Sequence, residues 1–393
     1  MVPLRPGGVA QYLGIPFAEA PIGPLRFNQP VDWSRPYPGG KWDAHDARSI
    51  CVQPESAYQR PRQWIGAEDC LFLNVWAPAN VTRAPVLFFI HGGELITGSG
   101  DEYNGSQLAL KHRATVVTVN YRLNDLGWAF VAPRHANFGL KDQRSAMRWV
   151  RSHIGSLGGD ARHVMIFGES SGAICVALHL LSAASAGLFD AAIMESGAAL
   201  ATGAPRAQLF ANRYVALAGC GSAASDDTRL ACLRSRTVEQ LQNASAAVTA
   251  SDARYYWDPS FAWDASVDGV EVRAHPFQMI ASGALSHVPL LAGVNSDEGS
   301  AILLPAVPRP LNVSCFHICI HICIRDPYMH TRPIYAYAAH ICTYTLGELL
   351  PSDGLVDDVQ ARHLSAARGG ACYVYPQCNR RRRQRSPRRS LAE

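Results

Sequence analysis

Three short segments carry residue types and spacings suited to acyl transfer. The first is Gly168-Glu169-Ser170-Ser171-Gly172, between an apolar β-rich run (His163–Phe167) and an apolar helical pattern (Gly172–Ser182). Acyl transfer needs a serine oxygen held clear of a sheet at a helix N-terminus, and the two glycines permit the sharp turn this demands. Small residues cluster by chance, so the flanking strand and helix give the motif its weight. The plain alternative is a strand-to-helix turn that uses Ser170 as a cap. The second segment is His91-Gly92-Gly93-Glu94, which follows the buried run Val86–Ile90 two strands before the elbow. A loop placed there donates backbone N–H groups to a developing oxyanion, and the amide of Ser171 supplies another. The third is Gly293-Val294-Asn295-Ser296-Asp297-Glu298-Gly299, after the run Val288–Ala292. A carboxylate at a strand's C-terminal end can orient a catalytic histidine, or simply cap the next helix.

The elements that must position these groups alternate. Candidate strands are Leu71–Trp76, Val86–Ile90, Thr115–Val119, His163–Phe167, Ala191–Met194 and Val288–Ala292, several of them apolar on both faces. Helical patterns fall between them at Asp142–Ile154, Gly172–Ser182 and Ala207–Ala218. In the first of these Ala146, Trp149, Val150 and Ile154 recur at helical spacing. Strands alternating with helices predict an α/β fold with a mostly parallel central sheet flanked by helices. Residues 12–30 read as a loop punctuated by Pro and Gly. The pattern breaks near residue 305. Residues 306–348 contain a low-complexity alternation of Cys, His, Ile and Tyr, and an ordinary pattern returns over 349–376 (a helix at Asp357–Ala367, a strand at Ala371–Tyr375). Residues 377–393 form an Arg-rich tail that reads as disordered.

Composition narrows the function classes. The chain has 393 residues, 48% of them hydrophobic and 17% charged, enough for a large core. Its net charge is +4, but residues 379–393 hold seven Arg and one Glu, so the remainder sums to −2. The body of the chain thus gives no sign of a nucleic-acid partner. No run of about 18 apolar residues marks a transmembrane helix, and the opening MVPLRPGGVAQYLG lacks the apolar stretch of a signal peptide. Sequons stand at Asn80, Asn104, Asn243 and Asn312. Cys315, Cys319 and Cys323 would share a helix face with His317 and His321 nearby, but their spacing fits neither zinc fingers nor iron–sulfur runs. No metal and no cofactor is expected, and nothing in the sequence sets an oligomeric state.

Taken together, six segments resemble the type-B carboxylesterase and cholinesterase family, from about residue 8 to 305, and the ordinary pattern over 349–376 is expected to be a remnant of the same domain. They are Gly14-Ile15-Pro16-Phe17-Ala18 through Leu25-Arg26-Phe27; Glu68-Asp69-Cys70-Leu71-Phe72-Leu73-Asn74-Val75-Trp76; the His91 loop; Asn120-Tyr121-Arg122-Leu123; Gly158-Gly159-Asp160 leading into Phe167–Ala173; and Asp297-Glu298-Gly299. The resemblance implies an α/β-hydrolase fold over residues 1–305, without the family's opening strands, and hydrolysis of small-molecule carboxylic esters through an acyl-enzyme. It casts Ser170 as nucleophile, Glu298 as the triad acid, and Gly92, Gly93, position 94 and Ser171 as the oxyanion region. It implies disulfides Cys51–Cys70 and Cys220–Cys232, where free buried thiols are the alternative, and structural ion pairs Arg26–Glu68 and Arg122–Asp160. It also implies passage through the secretory pathway. Trp64 is expected in the core rather than lining a gorge.

Two departures weigh against full activity. Glu94 stands where the family has a third glycine, and its Cβ restricts the backbone. Loss of one oxyanion donor typically costs about 10²–10³ in rate. Ser171 replaces the usual alanine, and its amide remains. The family's histidine lies in a His-Gly loop after the last core strands, and no His follows His363. His317, His321, His330 and His340 fall in the low-complexity segment, so the triad histidine is unassigned. The expectation is an incomplete gene product whose residues after about 305 derive in part from frame-shifted or non-coding sequence. The alternative function is a non-catalytic binding or adhesion member of the same fold.

Overall fold

In the computed structural model the apolar runs pair into one seven-stranded sheet. The structure describes residues 8–55, 63–132, 135–250, 262–296 and 298. The expectations for 306–393, for Asn312 and for the histidines and cysteines beyond residue 314 lie outside these.

The strands are β1 (Val9–Pro16), β2 (Gln53–Pro54), β3 (Trp64–Ile65), β4 (Phe72–Pro78), β5 (Ala84–Ile90), β6 (Thr115–Val119), β7 (Gly159–Glu169), β8 (Ala191–Glu195) and β9 (Leu290–Gly293). The main sheet runs β1-β4-β6-β5-β7-β8-β9, with β2 and β3 forming a small separate ribbon. β6, β5, β7, β8 and β9 are parallel, while β1 and β4 are antiparallel additions on one side. All five residues of β6 are buried, as expected for a strand covered on both faces. The helices are α1 (Ser106–His112), α2 (Asn124–Trp128), α3 (Phe138–His153), α4 (Ser171–Leu181), α5 (Ala204–Leu217), α6 (Asp226–Arg234), α7 (Val238–Ala250) and α8 (Pro276–Ala281). The α3 stripe Ala146, Trp149 and Val150, continued by Ile154, is buried in the main core with Val86, Phe88 and Ile90 of β5.

The topology places the site. From β5 the chain crosses to one side for β6 and returns to the other side for β7. The carboxyl ends of β5 and β7 therefore flank a reversal, where parallel sheets open a crevice. Next in order come β8 and β9. Four neighbouring strands thus deliver four successive loops to one end of the sheet.

Three expectations are corrected. Residues 12–30 are not all loop, because Val9–Pro16 form the edge strand β1. Its alternation is hidden by a register shift between Tyr12 and Ile15, where Gly14 adopts φ +63° and its N–H donates to Asn74 Oδ1 at 2.9 Å. Arg122 does not pair with Asp160. It forks onto Asp142, with Nε and Nη2 each 2.7 Å from a carboxylate oxygen, and its backbone N–H donates to the same carboxylate at 3.1 Å. Asp142 lies one helical turn into α3, directly behind the strand-end loop carrying Arg122. Asp160 instead faces Arg83, Arg162 and His163. Trp64 is half-buried in β3, opposite Pro54, rather than in the core.

Two other scaffold expectations hold, the Arg26–Glu68 pair and both disulfides. Arg26 forks onto Glu68 (Nε–Oε1 2.5 Å, Nη2–Oε2 2.7 Å), and its third nitrogen caps the end of α6 through the Arg236 carbonyl at 2.7 Å. Cys51–Cys70 and Cys220–Cys232 are disulfides, joining residues 19 and 12 apart in sequence. Each is worth roughly 2–4 kcal/mol by restricting the unfolded chain.

Candidate active site

Ser170 sits between β7 and α4 with φ 55° and ψ −123°, a conformation costly for any residue with a Cβ. The surroundings hold it there. Its N–H donates to the Glu195 carbonyl at the end of β8, at 2.9 Å, and its carbonyl starts α4 by accepting from Ile174 at 3.1 Å. The flanking glycines are required by space. A Cβ on Gly172 would lie 2.1 Å from the Ile90 carbonyl oxygen, and one on Gly168 would lie 2.6 Å from the Gly172 backbone. The serine is thereby lifted off the sheet and left half-buried at the N-terminus of α4.

The loop after β5 packs against this turn. A Cβ on Gly92 would lie 2.8 Å from the Glu169 carbonyl oxygen and 3.1 Å from Ser170 Cβ. Gly93 has φ +102° and turns the chain so that its carbonyl accepts from the amides of Ile96 and Thr97 at 3.0 and 2.9 Å. Among the described residues, the amides of Gly93 and Ser171 have no acceptor. Open N–H groups from a tight loop and from a helix N-terminus, beside a serine, are the donors an oxyanion requires. Glu94 takes φ +61° and Leu95 φ +60°, so the loop keeps a glycine-like path through two side-chain-bearing residues.

Glu298 reaches the site from the loop after β9. Its Oε1 accepts from the Ser196 hydroxyl at 2.5 Å and the Asn295 amide at 2.6 Å. The Ser196 bond, followed by the Asn295 bonds, holds its carboxyl below the ordinary range. Sequence reading missed Ser196 and Asn295. The signal available was position: Ser196 directly follows β8, at the same sheet end as Ser170. Burial, and then repulsion from Glu195 and Glu298, raises the Glu169 carboxyl.

The histidine is not supplied by the described residues, none of which hydrogen bonds the Ser170 hydroxyl. His91 is buried, stacks on Tyr121 at 4.3 Å between ring centroids, and places Nδ1 2.8 Å from the Gly92 carbonyl. Burial pushes its pKa down to about 4, so it is a neutral ring that stiffens the loop. His179 is buried between Ser185 and Gln143, each 2.9 Å away, on the helix that starts at Ser171. Among the described residues no cluster of His, Cys, Asp and Glu is arranged to hold a metal, and no helix is long and apolar enough to cross a membrane.

A reversal in a mostly parallel sheet, a strained serine elbow and an amide-bearing loop beside it define an α/β-hydrolase. Comparison with known proteins agrees. Residues 2–318 match the Carboxylesterase family. The chain is 34% identical over 325 residues to an acylcarnitine hydrolase of Mus musculus, covering 77% of this chain and 56% of that protein. It is 35% identical over 314 residues to para-nitrobenzyl esterase of Bacillus subtilis (strain 168), covering 76% and 61%. A solved PNB esterase structure matches with TM-score 0.66 at 34% identity, covering 76% of this chain and 62% of that one. The Geobacillus stearothermophilus carboxylesterase EST55 matches with TM-score 0.65 at 33% identity, covering 77% and 60%. This chain belongs to the carboxylesterase family. It spans little more than half the length of the curated relatives it matches.

Proposed function

We propose that the chain is a serine hydrolase cleaving small-molecule carboxylic esters through an acyl-enzyme on Ser170. The observation that carries this is the elbow. Ser170 is held at a strained φ and ψ, on a helix N-terminus, with the Gly92–Glu94 loop packed against it. In the reaction the Ser170 oxygen attacks the ester carbonyl carbon and its proton passes to a base. The carbonyl oxygen becomes an anion received by the amides of Gly93 and Ser171. The C–O bond to the alcohol then breaks and the alcohol leaves with a proton. Water repeats the sequence on the acyl-enzyme and releases the acid. Glu298 is the acid that orients the imidazole in this reading, supported by its fixing through Ser196 and Asn295. The substrates named for relatives, acylcarnitine and para-nitrobenzyl esters among them, support carboxylic esters as the class.

The alternative is a non-catalytic member of the fold. It is favoured by Glu94 in the oxyanion loop and by the missing imidazole partner for Ser170 among the described residues. Burst kinetics with an activated aryl ester separates the two. A stoichiometric burst that Ser170→Ala abolishes supports the hydrolase, and equal release by both proteins supports the alternative.

A further inference from the structure

Two departures from the family's pattern at this site, Glu94 for glycine and Ser171 for alanine, are linked through the residue after Glu94. The Leu95 N–H donates to Ser171 Oγ at 3.2 Å, a buried bond between residues 76 apart in sequence. Ser171 is only 4% exposed, at the first position of α4 and next to the nucleophile. We infer that the Ser171 hydroxyl is a positioning residue for this oxyanion loop, offsetting the strain that Glu94 introduces. The inference rests on the hydrolase reading of the same site.

The loop's conformation creates the need. Two consecutive residues with side chains, Glu94 and Leu95, sit in the left-handed region at φ +61° and +60°. Glycine adopts this region freely, whereas other residues are disfavoured there because Cβ crowds the backbone. Such a path persists only where neighbours over-determine it. On one side, α2 takes up the carbonyls. The Asn124 N–H donates to the Leu95 carbonyl at 2.9 Å, and Asn124 Nδ2 donates to the Ile96 carbonyl at 2.8 Å. At the base of the loop the Tyr121 hydroxyl donates to the His91 carbonyl at 2.7 Å. On the other side, beside the packing of Gly92 on the elbow, the loop's amide side is held by the Leu95 N–H bond to Ser171 Oγ. An alanine there has no acceptor, which would leave the buried Leu95 N–H unsatisfied and the loop free to relax away from Ser170.

The hydroxyl therefore does a different task from the Ser171 amide. On the hydrolase reading the amide receives the reacting oxygen, and the hydroxyl ties the helix carrying that amide to the loop carrying Gly93. An oxyanion hole works only while its donors stay pre-set, so a small outward shift of the loop lowers the chemical step more than substrate binding.

A double-mutant cycle on the full chain tests this, using wild type, S171A, E94G and S171A/E94G. The first readout is the pre-steady-state acylation rate and KM with an activated aryl ester. S171A is expected to slow acylation about 10-fold or more with KM changed less than about 2-fold. In the E94G background, where the strain at position 94 is relieved and only Leu95 keeps a left-handed φ, the same substitution is expected to cost under about 3-fold. The second readout is hydrogen exchange at the Ile96 and Thr97 amides, which bond to Gly93 rather than to Ser171. S171A is expected to speed their exchange, and E94G to restore protection. Equal effects of S171A in both backgrounds, or none in either, would overturn the inference. Exchange is independent of turnover. A wild-type chain without Ser170-dependent acylation would therefore refute the proposed function, while the exchange cycle still decides the role of Ser171.

Discussion

At the residue scale, chemistry at this site rests on few atoms and their immediate contacts. Ser170 is strained, Glu298 is held ionised by two donors, and His91 is buried and neutral. The buried fork between Arg122 and Asp142 stands behind them. Asp142 is fully buried and its carboxylate takes three N–H groups of one arginine. Asp142→Asn leaves a buried guanidinium uncompensated and is expected to cost about 3–5 kcal/mol of stability. Asp160→Asn should cost about 1 kcal/mol or less, because Arg83 and Arg162 opposite it are mostly exposed. Urea unfolding of the two variants checks this. A larger loss for Asp160→Asn would contradict the pairing seen here.

At the element scale, site geometry follows from strand neighbours. Ile90 of β5 pairs with Gly168 of β7, so the two loops proposed to make the oxyanion region emerge side by side. That contact tolerates no side chain. Gly172→Ala would drive its Cβ into the Ile90 carbonyl. It is expected to lower acylation at least about 10²-fold, the typical cost of losing an oxyanion donor. Stopped-flow acylation measures it, and a rate within a few-fold of wild type would argue against the elbow geometry. A second joint binds α2, α5 and α7. The buried Asp125 carboxylate accepts from the Tyr214 hydroxyl at 2.5 Å and from Gln242 Nε2 at 3.0 Å. Burial raises its pKa to about 6, the hydrogen bonds opposing. The folded value lies above the unfolded one, so the folded state holds the extra proton between about pH 4 and 6. Stability from this group is present below pH 4 and falls as pH rises through 6, by about 3 kcal/mol. The Tm difference between wild type and Asp125→Asn, followed from pH 4 to 7, should shift towards the variant as pH rises. A difference that stays flat would refute the buried-charge account.

At the scale of the whole molecule, the parallel part of the sheet was legible because its strands are short runs of β-branched and apolar residues. Thr115–Val119 is an example, with every residue buried. The elbow and the His91 loop were legible because glycine is obligatory at Gly168 and Gly172. The edge strand β1 escaped because Gly14 bulges it and breaks the alternation. Short helices such as α2 escaped because five residues carry less than two turns of periodicity. The Arg122 partner was misassigned because pairing depends on how α3 docks behind the strand ends, which no local spacing encodes. Ser196 was missed for a related reason: its bond to Glu298 exists only once β9 lies beside β8. The Ser171–Leu95 bond likewise joins segments 76 residues apart.

The central claim is that this chain places a reactive serine at residue 170. Incubation of the full chain with a fluorophosphonate probe, followed by peptide mass mapping, tests it most directly. The account predicts one adduct per chain, on Ser170, absent in Ser170→Ala and slowed in S171A. No adduct, or an adduct that persists in Ser170→Ala, would contradict it.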